Sequence, residues 1–188
     1  MTGNPRSILI TQATIVNEGQ QWVGDVLVKD GRIVEVAQHI VAEADQVIDA
    51  HGLMLLPGMI DDQVHFRDPG LTAKGDIATE SKAAIAGGTT TFMDMPNVKP
   101  TTTTIENLEA KYQIGAEKAW SNYSFYFGAT NDNLDELKKV NPRNVCGVKI
   151  FMGASTGNML VDREQALRDI FTYSPTLITT HCEDTPMI

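Results

Sequence analysis

Between residues 7 and 56 the apolar positions fall on the short period of extended chain, and after Leu56 the texture changes. In the first stretch Val26-Leu27-Val28-Lys29 and Arg32-Ile33-Val34-Glu35-Val36 flank Asp30-Gly31, a pair suited to the left-handed backbone of a two-residue hairpin turn. Ile8 to Val16 reads as a further strand and His51-Gly52 as a turn. No helical period is convincing there, so residues 1–54 predict a small β layer.

After Leu56, strands and helices alternate. Met59 to Phe66, Thr89 to Met95, Tyr123 to Ala129, Val145 to Met152 and Leu177 to Cys182 read as strands. Between them, Ile77, Ser81, Ala84 and Ile85 share a helical face that stops at Gly87-Gly88. Thr104 can cap a helix carrying Ile105, Leu108, Tyr112, Ala116 and Ala119 on one side. Leu134 and Leu137 mark a short helix. Asp162, with Gln165 three residues on, predicts a capping box opening a helix with Leu167, Ile170 and Phe171. Repeated βα units imply a parallel sheet covered by helices. No glycine-rich dinucleotide fingerprint follows the first strand.

The polar residues sharpen this picture. His65 and Arg67, Asp94 and Asn97, Lys149, and His181 all fall at strand ends, where a (β/α)8 barrel collects its functional groups. Five strands do not close such a barrel, so residues 55–188 are expected to be its N-terminal part within a longer protein. The alternative is a complete open α/β domain. A net charge of −9, without a Lys/Arg cluster, argues against nucleic acid or an anionic membrane as partner. No apolar run approaches a membrane span and no signal peptide is apparent. Two cysteines do not suggest a disulfide framework, and a cytoplasmic location is expected.

On a strand, Gln63, His65 and Arg67 should point one way, placing an imidazole beside a guanidinium. His65 and His181 at equivalent strand ends suit a nitrogen-ligated metal, most simply zinc, although a histidine standing alone is more often a hydrogen-bonded structural residue than a ligand. Cys182 should face away from His181, into the core. Lys149 lies in an apolar strand, where burial lowers a lysine pKa. Its neutral amine could take up carbon dioxide as a bridging carbamate, or the lysine could pair with a carboxylate. Arg67 offers a fork for a substrate carboxylate, and Asn97 could add an amide donor or simply serve the turn beside its prolines. Gly153 to Asn158 lacks a P-loop ending.

Together, Val64-His65-Phe66-Arg67-Asp68-Pro69-Gly70, Asp94-Met95-Pro96-Asn97-Val98-Lys99-Pro100, the Lys149 strand and Thr180-His181 resemble the amidohydrolase superfamily, and within it the type I dihydroorotases. The resemblance implies a (β/α)8 barrel with about five of its eight strands here, plus a small β-sandwich to which residues 1–54 contribute. It implies His65, carboxylated Lys149 and His181 as ligands of one or two zinc ions, and Arg67 and Asn97 as the holders of a substrate carboxylate. The general acid/base aspartate would lie beyond Ile188. Gln63 stands where the family has its first histidine, and an amide oxygen is the weaker zinc ligand, so one metal position is expected to be weak, empty or differently coordinated.

The implied activity is reversible hydrolysis of dihydroorotate to N-carbamoyl-aspartate in pyrimidine synthesis, with small molecules as partners and a homo-oligomer compatible with it. Hydantoinases and allantoinases share the fold and the lysine but do not generally carry the His-x-Arg-Asp-Pro-Gly pattern. Two alternatives stand beside this: a non-catalytic dihydroorotase-like scaffold, motivated by Gln63, and a hydantoinase- or dihydropyrimidinase-like cyclic amidase.

Overall fold

A computed structural model describes residues 6–153, 158–183 and 187. The chain divides into two compact units, Met1–Pro57 and Gly58–Ile188.

In the first unit, β1 (Ser7–Asn17) pairs antiparallel with β2 (Gln20–Lys29), which pairs with β3 (Arg32–Ala37). The short strands β4 (Gln46–Asp49) and β5 (Met54–Leu55) add to β1 in parallel. Asp30 and Gly31 take the expected left-handed backbone, with φ 48° and 74°. A second turn of the same kind at Glu18-Gly19 extends β2 to Gln20, well before the expected Val26. Its polar flanks, Asn17 and Gln20-Gln21, hid that pairing. A bulge breaks the β1 register between Ile10 and Ala13. Buried Asp25 stabilises it by accepting the Gln12 and Ile40 amides at 2.8 and 2.9 Å.

The second unit alternates β6 (Met59–Val64), α1 (Ile77–Ala86), β7 (Thr89–Asp94), α2 (Ile105–Lys118), β8 (Asn122–Gly128), α3 (Leu134–Leu137), β9 (Gly147–Phe151), α4 (Glu164–Tyr173) and β10 (Ile178–His181). The five strands are parallel and lie in the order β10-β9-β8-β7-β6. This is an α/β fold with part of a (β/α)8 barrel. Phe92, Phe125, Phe127, Val148 and Ile150 are fully buried in one core with Ile77, Leu108, Leu137 and Ile170 from the helices. Each such side chain contributes on the order of 1.5–3 kcal/mol.

Helix ends follow local chemistry where it is free to act. Asp76 and Thr79 form a reciprocal capping box on α1, and Thr104 accepts the Asn107 amide at the start of α2. The box expected at Asp162 does not form. Asp162 instead accepts from Asn131 Nδ2 at 2.8 Å, Gln165 donates to Asp169, and α4 starts at Glu164 without a side-chain cap. The expected face of α2 packs on the core through Leu108, Ile105, Tyr112 and Ala119, but Ala116 is exposed, and Lys111 and Gly115 are buried in addition. Gly115 is required there because a Cβ would approach Tyr123 Cε2 to 2.6 Å. Phe171 and Ile85 are exposed, leaving Ile170 and Ile77 as the anchors of α4 and α1. Among the described residues no helix is long and apolar enough to cross a membrane.

Candidate active site at the strand ends

The end of β6 does not continue as a strand through Arg67. Val64 and Phe66 pack into the core, which turns Gln63 and His65 to the opposite side, both exposed. Alternation then breaks, because Arg67 takes a left-handed backbone with φ 64°. For a residue with a Cβ this costs on the order of 1 kcal/mol and needs fixing from outside.

Three contacts supply that fixing. Asp94 at the end of β7 accepts the Phe66 amide at 3.0 Å. Asp68, 3% exposed, lies 2.8 Å from Lys118 Nζ. The Pro69 carbonyl accepts the Lys99 amide at 3.0 Å, and Gly70 (φ 80°) packs so closely that a Cβ would collide with the Lys99 carbonyl. The two motifs Asp68-Pro69-Gly70 and Val98-Lys99-Pro100 are therefore two sides of one loop-to-loop contact.

The Asp94 carboxylate has a buried counter-charge. Lys111 Nζ lies 2.8 Å from its Oδ2, off the hydrogen-bonding direction, with both side chains wholly buried. The aligned bond of Lys111 goes to the Met95 carbonyl at 2.9 Å, and its ammonium sits 4.8 Å from the Phe125 ring centre. Burial pulls the Lys111 pKa down and Asp94 opposes it. Sequence reasoning missed this lysine. Its place in the apolar stripe between Leu108 and Gly115 was the available signal.

His65 and Asn97 are brought together, with His65 Nδ1 2.9 Å from Asn97 Oδ1. The amide oxygen selects the tautomer with hydrogen on Nδ1, leaving the lone pair on Nε2. His65 keeps an exposed edge, but partial desolvation holds its pKa below the ordinary imidazole value, followed by the neighbouring Arg67 charge. Lys149 is near enough to add to that effect. Arg67 and Asn97 line one open pocket of about 620 Å³, together with Lys74 and the backbone around Gly70.

On the other side of the sheet end, Lys149 is 3% exposed in β9 and lies beside Thr179 of β10. Among the described residues it has no carboxylate partner, only the Phe151 ring at 5.2 Å. Desolvation lowers its pKa. His181, half-buried at the end of β10, has Nε2 3.3 Å from Glu183 Oε1. Cys182 is exposed rather than core, because β10 ends at His181, and its Sγ sits 3.0 Å from Thr180 Oγ1. Part of the expected Gly153 to Asn158 loop, residues 154–157, lies outside the described residues, as does Asp184.

Among the described residues no three His, Cys, Asp or Glu side chains converge. A metal would therefore need Lys149 to join His65 and His181. A buried amine without a counter-charge among the described residues, with His65 nearby, suits that role as a carbamate. The donor set fits zinc on this condition.

Residues 54–180 match the amidohydrolase family. The dihydroorotase of Methanosarcina mazei is 36% identical over 168 residues, which is 87% of this chain and 36% of that protein. The allantoinase of Deinococcus radiodurans is 36% identical over 149 residues, 79% of this chain and 33% of that protein. Among solved structures, L-hydantoinase (dihydropyrimidinase) from Arthrobacter aurescens superposes with a TM-score of 0.88 at 28% identity, covering 94% of this chain and 40% of that one. The chain spans about a third of the length of these curated relatives. With a family match across the βα repeats and the strand-end motifs themselves, the chain belongs to the amidohydrolase family.

Proposed function

We propose that this protein is a metal-dependent cyclic amidase that opens dihydroorotate reversibly to N-carbamoyl-aspartate. The observation that carries the reading is the open pocket shared by Arg67, Asn97 and Lys74, with His65 at its side. An anion fits there, and a neutral ring would leave a guanidinium without a partner. Arg67 would hold the substrate carboxylate with its planar fork. Asn97, its oxygen engaged by His65, would present its Nδ2 hydrogens to the same ligand.

Lys149 Nζ, uncharged more readily than an exposed lysine, would attack carbon dioxide, forming an N–C bond and releasing a proton. The resulting carbamate, His65 and His181 would hold zinc, which supplies Lewis acidity toward the ring carbonyl. Gln63 at the first ligand position would weaken one metal site. A cytoplasmic setting and zinc as the native metal belong to the same reading.

A second reading, an amidase for uncharged cyclic ureides, is favoured by the 0.88 TM-score with L-hydantoinase and by the allantoinase relatives. Steady-state kinetics of the purified full-length protein with dihydroorotate, allantoin, hydantoin and dihydrouracil separates them. The first reading predicts the highest kcat/KM for dihydroorotate, and a higher value for any neutral ring overturns it. Zinc binding without turnover of any of the four would instead favour the scaffold.

A further inference from the structure

Arg67 is held in its left-handed backbone between two fixed neighbours, and both fixings trace to one helix. Lys111 and Lys118 are seven residues apart, two turns along the same side of α2. Lys111 pairs with Asp94, whose other oxygen takes the Phe66 amide, one residue before Arg67. Lys118 pairs with Asp68, one residue after it. Asp68 also receives the Ile77 amide at 3.4 Å, tying the segment to the start of α1.

We propose that α2 is a brace for the anion contact: Asp68 and Lys118 are positioning residues that set the guanidinium of Arg67 toward its ligand. This rests on the reading of Arg67 as the carboxylate contact. Lys118 is 37% exposed, and an ion pair so open to water stabilises a fold only weakly. The pair ends on the buried Asp68 carboxylate and so fixes the position of the residue that follows Arg67. The pocket lined by Arg67 begins where this clamp ends, at Gly70.

The test uses the full-length protein with dihydroorotate as substrate. Lys118→Met is expected to raise KM about tenfold with kcat within about twofold of wild type. Lys118→Arg keeps a cation in reach of Asp68 and should restore KM. Adding Lys118→Met to Arg67→Ala should change nothing further, because the group being positioned is gone. Asp68→Asn should repeat the Lys118→Met pattern, and melting temperatures of all variants separate loss of fold from loss of position. An unchanged KM in Lys118→Met, alongside a raised KM in Arg67→Ala, overturns the brace alone. So does a double variant whose two effects multiply. No turnover of dihydroorotate, or an Arg67→Ala KM equal to wild type, overturns the functional reading and the brace with it.

Discussion

At the ends of β6 and β7 each buried charge has its counter-charge, with Asp94 against Lys111 and Asp68 against Lys118. At the end of β9, Lys149 is buried just as deeply and, among the described residues, has none. The first region is a finished piece of structure, and its loops are already set. The second holds a desolvated amine that only an added negative charge would satisfy. The contrast separates two carboxylate-paired lysines from one that, among the described residues, is buried without a counter-charge.

The two regions should differ most in what losing their lysines costs in stability. Lys111→Met leaves the Asp94 carboxylate buried without its cation and is expected to destabilise by about 3–5 kcal/mol. Lys149→Met, measured on metal-free protein, removes a charge that had no partner and should be neutral or slightly stabilising. Denaturant melts of the full-length variants check both. Equal losses would mean that Lys149 has a counter-charge after all.

A smaller effect concerns ligand recognition. Arg67→Ala should weaken dihydroorotate by roughly 1.5–3 kcal/mol, the worth of a charged hydrogen bond, seen as a rise in KM. A neutral ring such as dihydrouracil should be unaffected in the same variant.

The smallest effect is on pH dependence. The His65 pKa is lowered in the fold from its ordinary 6.5, so between the folded value and 6.5 the unfolded chain binds more protons. Stability then rises with pH through that window and falls as the pH drops below 6.5. His65→Gln should remove this portion of the acid destabilisation in melts between pH 7.5 and 5.5. A pH slope identical to wild type would contradict it.

What was legible in the sequence was what local chemistry decides. Asp30-Gly31, the Thr104 cap and the Gly87-Gly88 stop depend on a few neighbouring residues, and all three stand in the structure. The order of strands and helices was equally plain, because parallel βα repeats leave long apolar runs. What stayed hidden was set by distant partners. Lys111 lies in the apolar stripe of α2, and only the fold brings Asp94, seventeen positions earlier, against it. Asp162 reads as a cap until Asn131 takes it. The turn at Arg67 breaks the strand alternation because residues of β7 and α2 hold its neighbours, which no local pattern records. His65 and Asn97 were each legible from their motifs, and their mutual bond was not.

The proposed role of Lys149 is to complete a metal site as a carbamate. It is tested most directly by the zinc content of the purified full-length protein and of Lys149→Ala, both prepared with bicarbonate and measured by mass spectrometry. Bound zinc is expected in the first and its loss in the second. Equal zinc in both would contradict it.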